Sequence, residues 1–396
     1  MNPEIKHRII EHAEQLFNKV QGYRRHMHAH PELSYHEHET MRYVSECLTA
    51  IGIEHTTGIG DTGIVALIKG EHHSSSQEVI GLRADLDALP IQEENEVEYK
   101  STVDGVMHAC GHDVHTSVLL GAAEILNSLR NELPAPVKLI FQPGEEKNPG
   151  GATYMIRDGI LKNPTVKEMY ALHVFPDMKV GNVGFKEGIY MASCDEIYIT
   201  VNGKGGHGAT PHQCIDPILI GANIITTMQQ IVSRKCDPKV PCVLSFGHFE
   251  ALGATNVIPS KAYLKGTFRT MNEPWRAQAL ELIESTAHKI AEASGGTVDI
   301  EISKGYPYLE NDPATTAKLR STAQNLLGQG HVEELPIRLT AEDFSFYSQE
   351  IPVCFFRLGV RNEEKGITHG VHHPQFDIDE QALTIGMQMM AMAPFS

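Results

Sequence analysis

Around Gly188 the texture of this chain changes, and after Tyr308 it changes back. Up to Gly188, helical periodicity alternates with short apolar strands. Amphipathic helices are expected at residues 5 to about 28 and 40 to 50, β-rich runs at 63–69 and 79–83, and a helix at 113–129. A strand at 137–141, a helix near 151–157 and a strand at 169–174 follow. Such alternation builds an α/β layered sheet, because the helices cover the faces of the strands they connect. Between the two changes the order differs: an alternating run at 195–201, a helix near 217–232, strands around 243–249 and 262–270, a helix at 273–293 and a strand at 298–302. This reads as βαββαβ, two helices on a four-stranded sheet, a self-contained insertion. The α/β pattern then resumes with a strand at 353–358 and a helix from about 379 to 392. The expectation is one α/β domain of residues 1–188 and 306–396, interrupted by an α+β domain of residues 189–305. A chain of 396 residues has the material for two cores.

Charge narrows the partners. Lys and Arg number 33 against 50 Asp and Glu, a formal net charge of -17, and basic residues never cluster beyond pairs such as Arg24 and Arg25. That field repels phosphate backbones and anionic lipid, so neither nucleic acid nor a membrane is expected as a partner. The opening residues lack an apolar signal core, and no segment approaches the roughly 18 uninterrupted apolar residues of a membrane span. Seven scattered cysteines, an odd number, fit reduced thiols and a cytoplasmic location better than a disulfide framework.

Four loops that follow predicted strands carry side chains able to bind metal. Asp85 and Asp87 project to one side if the backbone stays extended, though a solvated acidic turn would use them too. Residues 107–115 hold Cys110 with His108, His112 and His115 just before a helix, and a Cys-x-His pair can place a thiolate and an imidazole on one ion. Glu145 and Glu146 end the next strand. Adjacent side chains of an extended turn point in opposite directions, so Glu146 can bind metal while Glu145 faces substrate. That division suits hydrolysis, in which a metal acidifies water and a carboxylate carries its proton to the leaving nitrogen. His173 stands alone at a strand's end, and downstream come His369, His372 and His373. Adjacency lets only one of His372 and His373 face a given ion. One thiolate among imidazoles and carboxylates suits zinc first, then nickel or cobalt, with manganese admitted. Five or more ligands exceed one tetrahedral sphere and point to two ions.

The insertion has its own constellation. Gly203, Gly205, Gly206 and Gly208 around His207 allow a close approach to a ligand and equally suit a hairpin turn. Arg269, at a predicted strand end, can grip a carboxylate as a fork or serve as a surface ion-pair partner.

Taken in order, these motifs resemble the aminoacylase, hippurate hydrolase and auxin-conjugate amidohydrolase family of dinuclear metallopeptidases. The match runs through Arg24 to His28, His30 to Leu33, Leu82 to Pro90, His108 to Asp113, Gln142 to Glu146, Gly203 to His207, Asn256 to Pro259, Glu342 to Phe344 and His372 to Pro374. The resemblance implies a zinc-exopeptidase-like three-layer catalytic domain with an inserted lid and dimerisation domain. It implies two divalent metals, a homodimer, and hydrolysis of the amide bond of N-acyl amino acids. Carried over by position, the ligands are Cys110, His112, Glu146, His173 and His372, with Glu145 as general acid/base and Asp87 behind the ligands. His207, Asn256 and Arg269 become the lid groups that hold the scissile carbonyl and the product carboxylate. Gly144 replaces the family's usual alanine, Leu86 its methionine, and His373 a small polar residue. A dipeptidase, a carboxypeptidase or an N-acetyldiaminopimelate deacetylase would use the same site. A catalytically silent metal-binding protein would have no need of Glu145, and a thiol enzyme built on Cys110 would be insensitive to chelation.

Overall fold

The computed structural model describes residues 2–74 and 77–396, which separate into two compact units. The first comprises residues 1–190, 310–337 and 343–396, and the second residues 191–309 with the short stretch 338–342.

The chain opens with α1 (Pro3–Ala29) and α2 (His38–Ala50). Asn2 caps α1 by accepting the Glu4 amide, and Pro3 at the first turn needs no donor partner. Ile9, Ala13, Val20, Arg24, Met27 and His28 form its buried face, so the helical periodicity ends in two charged-type residues that are fully enclosed. Strands β1 (His55–Ile59), β2 (Gly63–Ile68) and β3 (Val79–Asp85), helix α3 (His112–Ser128), β4 (Val137–Gln142), α4 (Gly151–Arg157), β5 (Val166–Lys179) and β6 (Val183–Phe185) follow. The connection to the second unit is β7 (Gly188–Met191).

The second unit holds β8 (Asp195–Asn202), β9 (Gly206–His207), α5 (Pro217–Gln230), β10 (Cys242–Glu250), β11 (Val257–Ile258), β12 (Lys261–Thr270), α6 (Glu273–Ala293) and β13 (Thr297–Lys304). Its main sheet is antiparallel in the order β10-β12-β8-β13. Ile197, Ile199 and Val201 alternate inward from β8 and meet Ile220, Ile224 and Met228 of α5 and Ala279, Ile283 and Ala287 of α6 in one core. Two helices on a four-stranded sheet is the expected βαββαβ arrangement.

The chain returns through β14 (Leu309–Asn311), α7 (Pro313–Leu327), β15 (Val332–Glu334), α8 (Ser345–Ser348), β16 (Val353–Arg361) and α9 (Ala382–Met392). The eight-stranded sheet of the first unit has the order β1-β2-β4-β3-β5-β16-β6-β15, with β4, β3, β5 and β16 parallel at its centre. Every residue of β3 and β4 is buried, so both faces of the sheet are covered, as central parallel strands require. Helices α1, α3 and α9 pack together, with α3 and α9 against the sheet, while α7 contacts β16 and α4 contacts β4. Strand β5 continues to Lys179, which puts His173 inside the strand rather than at its end. Helix α9 starts at Ala382 because Asp379 caps the turn before it, its carboxylate accepting the Gln381 amide and its carbonyl the Ala382 amide. Among the described residues no helix is long and apolar enough to cross a membrane.

Candidate metal centre

Three loops at the carboxyl ends of β3, β4 and β16 meet β5 and the start of α3 in the first unit. Gly111, with φ +86°, caps α3, and a methyl there would meet Val174 Cγ2 at 2.5 Å. Only glycine lets this loop lie against β5 and bring Cys110 and His112 to His173. The Cys110 Sγ is 3.4 Å from His173 Nε2. His173 turns that nitrogen inward because its Nδ1 donates to the Val174 carbonyl at 2.7 Å. His112 is oriented the same way, its Nδ1 3.1 Å from Asp87 Oδ1. Its Nε2 faces Asp85 Oδ2 at 3.8 Å, and Glu145 Oε2 and Glu146 Oε1 each at 4.0 Å. His372, held at φ +64° with its amide on the Ala109 carbonyl, places Nε2 3.2 Å from Glu146 Oε1. His373 is not in the cluster: its Nδ1 accepts the Gln375 amide and its ring stacks on His369.

The donor set fits divalent cations. Ligand atoms of Cys110, His112 and His173 lie within 4.8 Å of one another, and so do those of Cys110, Glu146 and His372. The two trios share Cys110. His112 Nε2 is buried without a hydrogen-bond partner, and an orphaned ring nitrogen that faces Asp85, Glu145 and Glu146 fits a site that takes a cation. The electrostatics agree. Burial and then the charges of Glu146 and Glu145 hold the Cys110 thiol well above its ordinary value. Burial pulls His112 down, but Asp85 and Asp87 outweigh it and raise the imidazole to about 10. A ring of carboxylates that keeps protons on a thiol and an imidazole is a site short of positive charge. His173, by contrast, is held neutral by burial and by Arg357, the form a metal ligand needs.

Glu145 and Glu146 do not diverge as an extended turn would make them. Gly144 adopts φ +59° and curls the loop, so both carboxylates reach His112. A methyl at position 144 would lie 2.3 Å from Tyr35 Cε1, so the glycine is matched to Tyr35 here. Beyond Asp87, the supports of the site carry no role in the sequence motifs. Asp85 accepts from His115 Nδ1 at 2.6 Å, and His115 Nε2 accepts the Val174 amide at 3.0 Å. Arg83 spans Asp85 at 2.6 Å and Asp343 at 2.8 Å. Asp343, also bound by Gln142 and the Ala152 amide, directs its own amide to Glu145 Oε1 at 3.4 Å. In the sequence Asp85 is legible only as a metal-capable acid beside Asp87, and Asp343, between Glu342 and Phe344, as an acid without a role.

In the second unit, His207 and Asn256 are neighbours: β9 pairs with β11, Val257 opposite His207, and the Gly208 amide donates to the Asn256 carbonyl. Both side chains are exposed. Arg269 is elsewhere in that unit, on β12, its Nη1 donating to the Leu339 carbonyl at 3.1 Å.

A family model described as peptidase family M20/M25/M40 matches residues 81–394, most of the chain. The chain belongs to this family. An N-acetylcysteine deacetylase of Bacillus subtilis is 39% identical over 93% of this chain and 94% of its own length. Thermostable carboxypeptidase 2 of Saccharolobus solfataricus is 37% identical over 92% of this chain and 91% of its own. The solved structure of a dinuclear metal-binding M20 peptidase from Bacillus subtilis superposes with a TM-score of 0.81 at 34% identity, covering 96% of this chain and 98% of that one. This M20 chain is a metal-dependent hydrolase with an α/β catalytic fold and an inserted lid, and the clustered Cys, His and Glu side chains are its candidate ligands.

Proposed function

We propose that the chain hydrolyses the amide bond of N-acyl-L-amino acids, acetyl or aromatic, with two divalent cations, zinc foremost, on Cys110, His112, Glu146, His173 and His372. When bound, the cations supply Lewis acidity toward water and the scissile carbonyl. Glu145 takes the proton of the attacking water and delivers it to the leaving nitrogen. Asp87 fixes the tautomer of His112. The first unit carries the chemistry and the second acts as lid and dimerisation unit, where His207 and Asn256 support the carbonyl oxygen and Arg269 binds the carboxylate of the amino acid.

The observation that carries this reading is a set of overlapping trios, Cys110 with His112 and His173, Cys110 with Glu146 and His372, and His112 with Glu145 and Glu146, with Glu145 Oε2 4.0 Å from His112 Nε2. A relative named for deacetylation of an N-acetyl amino acid supports the substrate class. A relative named carboxypeptidase favours a second reading, cleavage of short peptides at a free carboxyl end. Homodimer formation is supported by the free edge of β10 and by exposed Ile218, Leu219, Phe249 and Leu252 in the second unit. The seven free thiols support a reducing compartment.

The test is a hydrolysis screen of N-acetyl, N-benzoyl and indole-acetyl amino acids beside dipeptides, with and without chelator. Chelation should abolish turnover and zinc or manganese restore it. Glu145→Gln should keep its metal and lose about 10²–10⁴ in kcat. A marked preference for dipeptides over every acyl amino acid would move the assignment to the second reading, and near-native turnover of Glu145→Gln would refute the mechanism.

A further inference from the structure

The link between α1 and α2 holds three side chains that reach across the fold to the loops of the metal centre. The Glu37 carboxylate is fully buried and accepts from the Gly144 amide at 2.8 Å and from the Thr62 hydroxyl at 2.6 Å. Tyr35 donates its hydroxyl to the Lys147 carbonyl at 2.6 Å, and the same oxygen accepts the Gly150 amide at 3.1 Å. Its ring packs on Gly144, and its own backbone is held at φ +66°. Ser34 donates to Asp87 Oδ2 at 2.7 Å, and that same oxygen accepts the Glu146 amide at 2.9 Å. Glu145 therefore lies between two peptide amides, each gripped by a buried carboxylate, in a loop whose far side Tyr35 ties down.

We propose that Ser34, Tyr35 and Glu37 are positioning residues that hold the Glu145 carboxylate in its catalytic place. This rests on the reading of Glu145 as the proton carrier. Gly144 at φ +59° has no side chain to pack, so the loop's course depends on bonds made to its backbone. Asp87, held by Ser34, still secures the Glu146 amide when Glu37 or Tyr35 is lost, while the turn before Glu145 loses its grip without Glu37 and the far side of the loop its tie without Tyr35. A shift of about 1 Å in a reacting group can cost on the order of 10²-fold in rate. Glu37→Gln preserves the grip: its remaining carbonyl oxygen accepts the Gly144 amide, and its new amide donates to the Thr62 oxygen after the hydroxyl rotates.

The experiment compares Glu37→Ala, Glu37→Gln and Tyr35→Phe, alone and combined with Glu145→Gln, in metal-loaded protein. Glu37→Ala and Tyr35→Phe should each lose about 10–100-fold in kcat, with KM and metal content kept, and Glu37→Gln should stay near wild type. Amide hydrogen exchange at Gly144 should quicken in Glu37→Ala and not in Glu37→Gln. On a Glu145→Gln background the same substitutions should cost nothing further, because the group they position is already disabled. Wild-type turnover in folded Glu37→Ala and Tyr35→Phe overturns the inference, and so do losses that add in full to that of Glu145→Gln. Should Glu37→Ala not fold, Tyr35→Phe, which keeps the ring and removes one hydroxyl, decides alone. Native turnover in Glu145→Gln would sink the proposed function itself, whereas native turnover in Tyr35→Phe beside a dead Glu145→Gln sinks only this inference.

Discussion

Replacing Arg24 by methionine should destabilise the first unit by about 3–5 kcal/mol, the usual consequence of leaving a buried charge without its partner. The guanidinium is fully enclosed. Its Nε lies 2.9 Å from Asp113 Oδ2, Nη2 2.7 Å from Asp377 Oδ1, and Nη1 3.4 Å from Glu380 Oε1. Glu380 keeps Arg25 at 2.7 Å and Asp377 is partly solvated, so both survive the change at small cost. Asp113 does not: it is enclosed and, among the described ion pairs, is left with His28 Nδ1 at 2.8 Å. Burial raises its pKa, but Arg24 and then His28 outweigh that and hold the carboxyl well below its ordinary range. A depressed carboxylate contributes stability that is present above the unfolded pKa near 3.8 and lost as pH falls through the folded value. Urea unfolding followed by far-UV circular dichroism at pH 7 measures the loss, and Arg24→Met should also flatten the acid limb of stability against pH. Adding Asp113→Asn should recover part of the loss, since the stranded charge is then gone. A loss under about 1 kcal/mol, or a double variant whose cost equals the sum of the singles, would refute the reasoning.

Metal analysis of purified protein should approach two divalent ions per chain, and Cys110→Ala, which removes the side chain common to both trios, should lower that figure; one ion in fully active enzyme would contradict the dinuclear reading. Burial, then the charge of Asp87, pushes Glu37 up from 4.5 to about 7. The folded state therefore holds this proton more tightly, and its contribution to stability is complete below about pH 4.5 and lost as pH rises through 7. In chelated protein, Glu37→Gln should gain about 2–3 kcal/mol on wild type between pH 5 and pH 8, by urea unfolding, and an unchanged difference would contradict the raised pKa. Arg269→Ala should narrow the preference for free-carboxylate substrates over their amides, measured as the ratio of kcat/KM, and an unchanged ratio would remove Arg269 from substrate binding.

The sequence pattern revealed what local periodicity encodes. Helix α6 and the alternating strand β8 were legible because burial follows their own spacing. Helix α7 was not, since its buried face is Thr315, Thr316, Leu319 and Ala323, largely small or polar, and the one clue was Asp312 before Pro313, a cap the structure uses on the Thr315 amide. In the site, ligand types could be read from composition and order. Their aim could not: Glu145 and Glu146 share a side because Gly144 takes a positive φ. The grip of Glu37 and Tyr35 on that turn joins residues more than a hundred positions apart, and no spacing rule reaches so far.

Strand β16 lies beside β5 in the middle of the large sheet, with Val353 opposite Met169. During synthesis, β5 emerges long before its neighbour, and one of its edges stays open while the whole insertion is made. The insertion has its last sheet strand by Lys304. A ribosome that stalls before Val353 thus carries a nearly finished smaller unit and a larger one with an unpaired, apolar edge, the kind of surface on which other nascent chains add strands. Yield in the cell will then depend on how fast the last hundred residues arrive, and a chaperone that covers β5 during that interval should raise it more than one that acts on the completed chain.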